Sequence, residues 1–241
     1  MTYCVATMID AGIVFASDSR TNAGVDCIST FRKMKTFERA GDRALVIINS
    51  GNLAITQATI NHLEQAIRRG TEPNLMSVYS MYDVAELVGA ALREVRHRDG
   101  PFLMENNVDA SANFIVGGQI AGECQRLFLV YAEGNFIEAT PETPYFQIGE
   151  VKYGKPIIDR VISAGTCMDD VIKCVLVSFD STMRSNLSVG MPIDLTCYGR
   201  DTLQLGNSHH FDEHDPYFLR LRQSWGEGVR RAFAELPNPE W

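Results

Sequence analysis

Two runs rich in β-forming residues open the chain, Tyr3 to Ile9 and Ile13 to Ser19, joined by Asp10-Ala11-Gly12. A short Gly-containing link between two such runs makes a β-hairpin. The chain therefore starts inside a sheet, and the rest of the sequence has to supply cover for it. Phe31 to Phe37, the turn Ala40-Gly41-Asp42-Arg43 and Leu45 to Ile48 add two further antiparallel strands. From Asn52 the period changes: Leu53, Ile55, Ala58, Ile60, Leu63 and Ile67 share one helical face that ends near Gly70. A second helical pattern covers residues 76–97.

Strands return at Asn113 to Gly118, Arg126 to Ala132 and Asn135 to Ala139, with turns at Gly122-Glu123 and Glu133-Gly134. Helices follow at 154–163 and 169–183. A hairpin around Gly199-Arg200-Asp201 joins Ile193 to Tyr198 with Thr202 to Leu205, and a terminal helix runs from Pro216 to Phe233. The order is ββββαα, βββαα, ββα. Strands in this number bury both faces only if helices cover each side, so two stacked sheets between two helical layers satisfy the count. With 241 residues, 45% of them hydrophobic, the chain can bury a sizeable core, and residues 1–241 read as a single α+β domain.

The formal net charge of -8 argues against phosphate-backbone and anionic-membrane partners. The opening MTYCVATMID lacks the basic and apolar regions of a signal peptide, and the expectation is a cytoplasmic protein. Cys4, Cys27, Cys124, Cys167, Cys174 and Cys197 have no CxxC spacing and read as free thiols. His209, His210, Asp212, Glu213, His214 and Asp215 crowd together, but without a helical i, i+4 pair and a clear third ligand they read as a solvated acidic loop.

Thr2 stands directly behind Met1. Removal of Met1 would leave a hydroxyl and a free amine on one residue, a nucleophile with its own base, since an α-amine of pKa about 7.7–8.0 is partly neutral near pH 7. With Met1 in place the same nitrogen is an amide. Further along come Ala16-Ser17-Asp18-Ser19-Arg20, then Lys33 in Phe31-Arg32-Lys33-Met34-Lys35, then Ser50-Gly51-Asn52 at the start of a helix. Singly, these read as a turn aspartate, a solvated lysine and a loop glycine.

In this order and context, Thr2, Asp18, Lys33 and Gly51 resemble the catalytic pattern of the proteasome β-subunit family of N-terminal nucleophile hydrolases. The similarity extends over nearly the whole chain and is most specific in the first fifty or so residues. It implies a four-layer αββα sandwich of two stacked antiparallel sheets. It also implies that Thr2 is the nucleophile, that Lys33 favours the developing alkoxide, that Asp18 holds Lys33 charged, and that the Gly51 amide is an oxyanion donor. Ser188 would keep a family role beside the amine. Thr21, Asn49 and Leu53 would surround the pocket for the residue before the scissile bond.

Two positions depart from the family pattern. Glu150 stands where a serine is expected, and Ser185 where an aspartate is expected. One reading is that carboxylate and hydroxyl partners of the amine have exchanged places, with Arg20 a further group able to tune it; the other is a different loop alignment with Glu150 in solvent. The resemblance implies a homo-oligomer, as a spiral or stacked open rings, acting on peptides or proteins without metal or organic cofactor, and no particular unfoldase is read from it. Two alternatives stay open: a scaffold subunit of the same fold with little peptidase activity, and an amidase for a non-protein amide.

Overall fold

The computed structural model describes residues 2–22 and 28–241, with residues 21, 22 and 28 described by their backbone alone. Met1 and Cys27 lie outside the described residues. The expected hairpin is present as β1 (Tyr3–Ile9) and β2 (Gly12–Asp18), antiparallel with Cys4 opposite Ser17 and Ile9 opposite Gly12. β3 (Arg20–Asn22) and β4 (Ile28–Thr30) form a small separate ribbon. β5 (Met34–Arg39) and β6 (Arg43–Gly51) begin the second large sheet.

α1 (Leu53–Arg69) and α2 (Met81–Glu105) follow, then β7 (Ala112–Ile120), β8 (Arg126–Val130), β9 (Phe136–Glu138) and β10 (Tyr145–Gly149). The remainder is α3 (Lys155–Val161), α4 (Met168–Ser185), β11 (Ile193–Gly199), β12 (Leu205–Phe211) and α5 (Pro216–Ala234). One sheet has the order β10-β1-β2-β11-β12 and the other β5-β6-β7-β8-β9. All neighbouring pairs in both are antiparallel.

Strand alternation builds three cores from these two sheets. Cys4, Ala6, Ile13 and Phe15 of one sheet meet Ala44, Val46, Ile48 and Ile115 of the other between the sheets. The intervening Tyr3, Val5, Val14 and Ala16 face Val175, Leu176 and Phe179 of α4. Leu45, Ile47, Phe114 and Val116 face Ile55, Ile60, Val88 and Leu92 of α1 and α2. The result is the expected αββα sandwich. No described helix is long and apolar enough to cross a membrane.

α1 has the boundaries its sequence signals require: the Asn52 side chain accepts from the amides of Ala54 and Ile55, and Gly70 closes the helix at φ 64°. Four expectations need correction. α2 spans Met81–Glu105 rather than 76–97, because residues 74–77 form a turn around the Asn74 side chain and the helix starts only at the Ser80–Asp83 capping box. The strand expected at 31–37 is Met34–Arg39, which leaves Lys33 just ahead of it. β10 was not expected, and it forms the edge beside β1, with Phe146 and Ile148 turned into the core between the sheets. The strand expected at 202–205 is Leu205–Phe211, so His209 and His210 lie on an edge strand rather than in a solvated loop.

Candidate active site

β1 carries the site at its N-terminal end, where Thr2 is almost wholly buried. The Tyr3 amide donates to Asp18 Oδ1 at 3.1 Å, and Lys33 Nζ donates to the same oxygen at 2.7 Å. Lys33 Nζ also donates to the Arg20 carbonyl at 2.6 Å. Asp18 and Lys33 are both buried. Burial pushes the Asp18 carboxyl above its ordinary range, while Lys33 and the amides of Tyr3 and Gly190 pull it back. One carboxylate oxygen therefore places both the lysine and the residue that follows Thr2.

Behind β1, the Tyr3 hydroxyl lies 2.9 Å from Ser178 Oγ and accepts from Gln147 Nε2 at 2.6 Å. Burial holds that phenol well above its usual range. Cys4 faces the core between the sheets, with its thiol 3.4 Å from the Asn49 carbonyl, so it is a wall residue rather than a reactive group.

Asn49 is turned onto the backbone of Lys33: its Nδ2 and its amide both reach the Lys33 carbonyl, at 2.9 and 3.0 Å. It thus positions the lysine segment instead of presenting a free amide to a pocket. Gly51 ends β6, exposed, directly before the capped N-terminus of α1. A Cβ there would lie 2.3 Å from the Ser111 carbonyl, so only glycine fits. Leu53, the first residue of α1, is half-buried. The Thr21 side chain lies outside the described residues.

Glu150 is buried, which rules out the solvent-facing loop. Its amide donates to the Thr2 carbonyl at 2.7 Å. Its Oε2 accepts from Asn186 Nδ2 at 2.8 Å, and Lys152 Nζ stands 3.7 Å from its Oε1. Ser185, the last residue of α4, is exposed, and no hydrogen bond among the described residues joins it to Thr2, Glu150 or Ser188. The side chain that bonds the Glu150 carboxylate is that of Asn186, one residue past Ser185. Ser188 is half-buried and donates its amide to Asn186 Oδ1 at 2.9 Å. Arg20 donates from Nη1 to the Leu187 carbonyl at 3.3 Å and pairs with Glu213 at 3.8 Å, so its guanidinium ties β3 to the same loop.

Asn186 was not among the residues singled out from the sequence. The signal that finds it is an Asn just past a helix with a turn amide two residues on, the pattern of an Asx-turn. Among the described residues, no group of three or more His, Cys, Asp or Glu side chains converges as a metal site would require. A groove of about 1050 Å³ lies between α3, α4 and α5 and is lined by Ile157, Val177, Tyr217, Leu221 and Trp225. None of the residues around Thr2 contributes to it.

Two five-stranded antiparallel sheets stacked between helical layers are the fold of proteasome-like proteins, the N-terminal nucleophile hydrolase fold. No family profile and no curated protein matches the chain. Solved structures do. Anbu, the ancestral β-subunit, from Yersinia bercovieri is 50% identical with a TM-score of 0.93, over 99% of each chain. The helical assembly of the Anbu complex from Pseudomonas aeruginosa is 51% identical with a TM-score of 0.94, over 99% of this chain and 98% of the other. An Anbu (Gly-1) mutant from Hyphomicrobium sp. strain MC1 is 46% identical with a TM-score of 0.93 over the whole of both chains. This chain belongs to the Anbu family.

Proposed function

We propose that this chain is an N-terminal threonine hydrolase that cleaves peptide or related amide bonds, and that residues 1–241 form one hydrolase domain. The observation that carries the reading is the sharing of Asp18 Oδ1 between the Tyr3 amide and Lys33 Nζ. It couples the position of the threonine to that of a buried ammonium.

After removal of Met1, Thr2 Oγ1 attacks the carbonyl carbon while the α-amine takes the hydroxyl proton. Lys33, paired with Asp18, lowers the energy of the alkoxide as it forms. The carbonyl oxygen gathers negative charge and is met by the Gly51 amide, beside the positive end of the α1 dipole. The amine passes the proton to the leaving nitrogen, and the C–N bond breaks to leave an ester on Thr2. Water then attacks the ester by the same proton route and frees the threonine. Ser188 and Glu150 flank the amine and set how readily it gives and takes the proton.

The relative from Pseudomonas aeruginosa is described as a helical assembly, and this supports a homo-oligomer of spiral or stacked open rings here too. The test is turnover of fluorogenic peptides, esters and isopeptides by wild type and Thr2→Ala, with the mass of the N-terminal peptide reporting Met1. Turnover and labelling by a threonine-directed electrophile should both vanish in Thr2→Ala. Absence of any Thr2-dependent turnover or labelling in protein lacking Met1 would overturn the enzyme reading and favour a scaffold subunit.

A further inference from the structure

Thr2 and Glu150 lie just beyond the Tyr3↔Gly149 pair where β1 meets the end of β10, and one backbone hydrogen bond joins them. The Thr2 carbonyl is already bonded to the Glu150 amide, and the next amide, that of Tyr3, to Asp18. The backbone on the C-terminal side of Thr2 is thus pinned, and the buried Glu150 sits directly against this residue.

The orientation of Asn186 follows from its partners. The Ser188 amide can only donate, so the Asn186 atom facing it is the oxygen. The amide nitrogen then faces Glu150 Oε2, and because that nitrogen can only donate, Oε2 must accept. Backbone bonds hold Asn186 itself: its amide donates to the Thr182 carbonyl and its carbonyl accepts from the Val189 amide. Lys152 is a poor rival for the carboxylate, since its side chain is 67% exposed and its ion pair is long.

We infer that Asn186 is a positioning residue that holds the Glu150 carboxylate against the Thr2 amine and so sets the proton affinity of that amine. The inference rests on the reading of Thr2 as an N-terminal nucleophile. The charged groups around the amine come from several elements: Asp18 from β2, Arg20 from β3, Lys33 ahead of β5, and Glu150 and Lys152 after β10. Asp18 and Lys33 offset each other within one ion pair at 2.7 Å, whereas Arg20–Glu213 at 3.8 Å and Glu150–Lys152 at 3.7 Å are both long pairs with an exposed partner. The Glu150 carboxylate is the charge in this set that favours the ammonium form without an opposite charge within 3 Å.

The experiment measures the amine without needing turnover. In protein whose N-terminal peptide begins at Thr2, produced behind a cleavable leader where Met1 is retained, α-amine acylation is followed against pH by mass spectrometry. Wild type is compared with Glu150→Gln, Asn186→Ala and the double variant. Asn186→Ser is included because its hydroxyl still accepts from the Ser188 amide, preserving the turn, yet is too short to reach Glu150. Glu150→Gln should lower the labelling midpoint by about one pH unit. Asn186→Ala and Asn186→Ser should each lower it by about half of that, and Asn186→Ala should add nothing in the Glu150→Gln background.

A midpoint moved by Glu150→Gln but not by either Asn186 variant would overturn the role of Asn186. So would a further shift from Asn186→Ala in the double variant. A midpoint unmoved by Glu150→Gln would overturn the tuning role of Glu150 as well. None of these results bears on Thr2 as nucleophile, which the Thr2→Ala comparison decides separately.

Discussion

Lys33 Nζ lies 2.7 Å from Asp18 Oδ1, with 5% of the lysine side chain and none of the aspartate side chain exposed. Removing the lysine strands a carboxylate among Cys4, Tyr3 and the end of β11. Lys33→Met should therefore cost about 3–5 kcal/mol near neutral pH, as expected when one partner of a buried pair is lost. Burial already holds the folded pKa of Asp18 above its unfolded value, and loss of Lys33 raises it further. The folded variant then keeps a proton that the unfolded chain has released. Its stability is fully present below the unfolded pKa and is lost as pH rises through the folded one. Urea unfolding of variant and wild type from acid to neutral pH measures this, and a difference that stays constant across the range would contradict it. Turnover should be lost in Lys33→Met at every pH.

The N-terminus of α1 is held by one side chain. Asn52 Oδ1 accepts from Ala54 and Ile55 at 3.0 and 3.2 Å, while its Nδ2 donates to the Asp109 carbonyl. Asn52→Ala should cost about 1 kcal/mol, and Asn52→Asp, which keeps the acceptor, should recover most of it. Because Gly51 precedes the cap directly, Asn52→Ala should also lower kcat more than it raises KM, by displacing the oxyanion donor rather than the substrate. Thermal unfolding and steady-state kinetics read the two effects, and an unchanged Tm would count against the cap.

Asp18, Lys33 and Gly51 each carry a weak local signal, reading singly as a turn aspartate, a solvated lysine and a loop glycine, and it was their order and context with Thr2 that resembled a family pattern. The β1–β2 hairpin and both caps of α1 were legible because the Gly-containing turn, Asn52 and Gly70 are strong local signals. β12 was not, since an edge strand needs no apolar alternation, and Gly206-Asn207-Ser208 reads as a turn. Glu150 was found through the resemblance, and Ser185 was read beside it as a second partner of the amine, while Asn186, which bonds the Glu150 carboxylate, was not singled out. Neighbouring residues on a helix point about 100° apart. Whether Ser185 or Asn186 faces the site therefore depends on where α4 ends and how it is rotated, and spacing along the chain does not encode either.

The described cysteines are all free and should divide sharply in reactivity. Burial pushes the Cys174 thiol up to about 12 and the Cys197 thiol up to about 11, and holds Cys4 well above its usual value. Cys124 and Cys167 are exposed. A maleimide at mildly alkaline pH should label Cys124 and Cys167 quickly and the other three only on unfolding, because the thiolate is the reacting form. Peptide mapping after a timed pulse gives the order. Labelling of Cys4 at the rate of Cys124 would mean that the sheets open at the Thr2 end.

Gly149 is the residue on which the seating of Thr2 should prove least tolerant. Its φ is 85°, and a Cβ added there would lie 1.9 Å from the Thr2 carbonyl oxygen. Alanine would thus carry two penalties, an unfavourable backbone region costing about 1–3 kcal/mol and a collision with an atom that already accepts from the Glu150 amide. Neither can be relieved by turning a side chain, because both partners are backbone. The relief available is to move Thr2 or to detach the end of β10 from β1, and both displace the nucleophile from Lys33. Gly149→Ala should therefore lose at least about 2 kcal/mol of stability and nearly all Thr2-dependent turnover, with amide exchange at Glu150 speeding up before that of the β1–β2 pair. Hydrogen exchange with peptide-level resolution tests this, and a Gly149→Ala protein with native exchange and full turnover would show that the close approach of the two backbones is not needed.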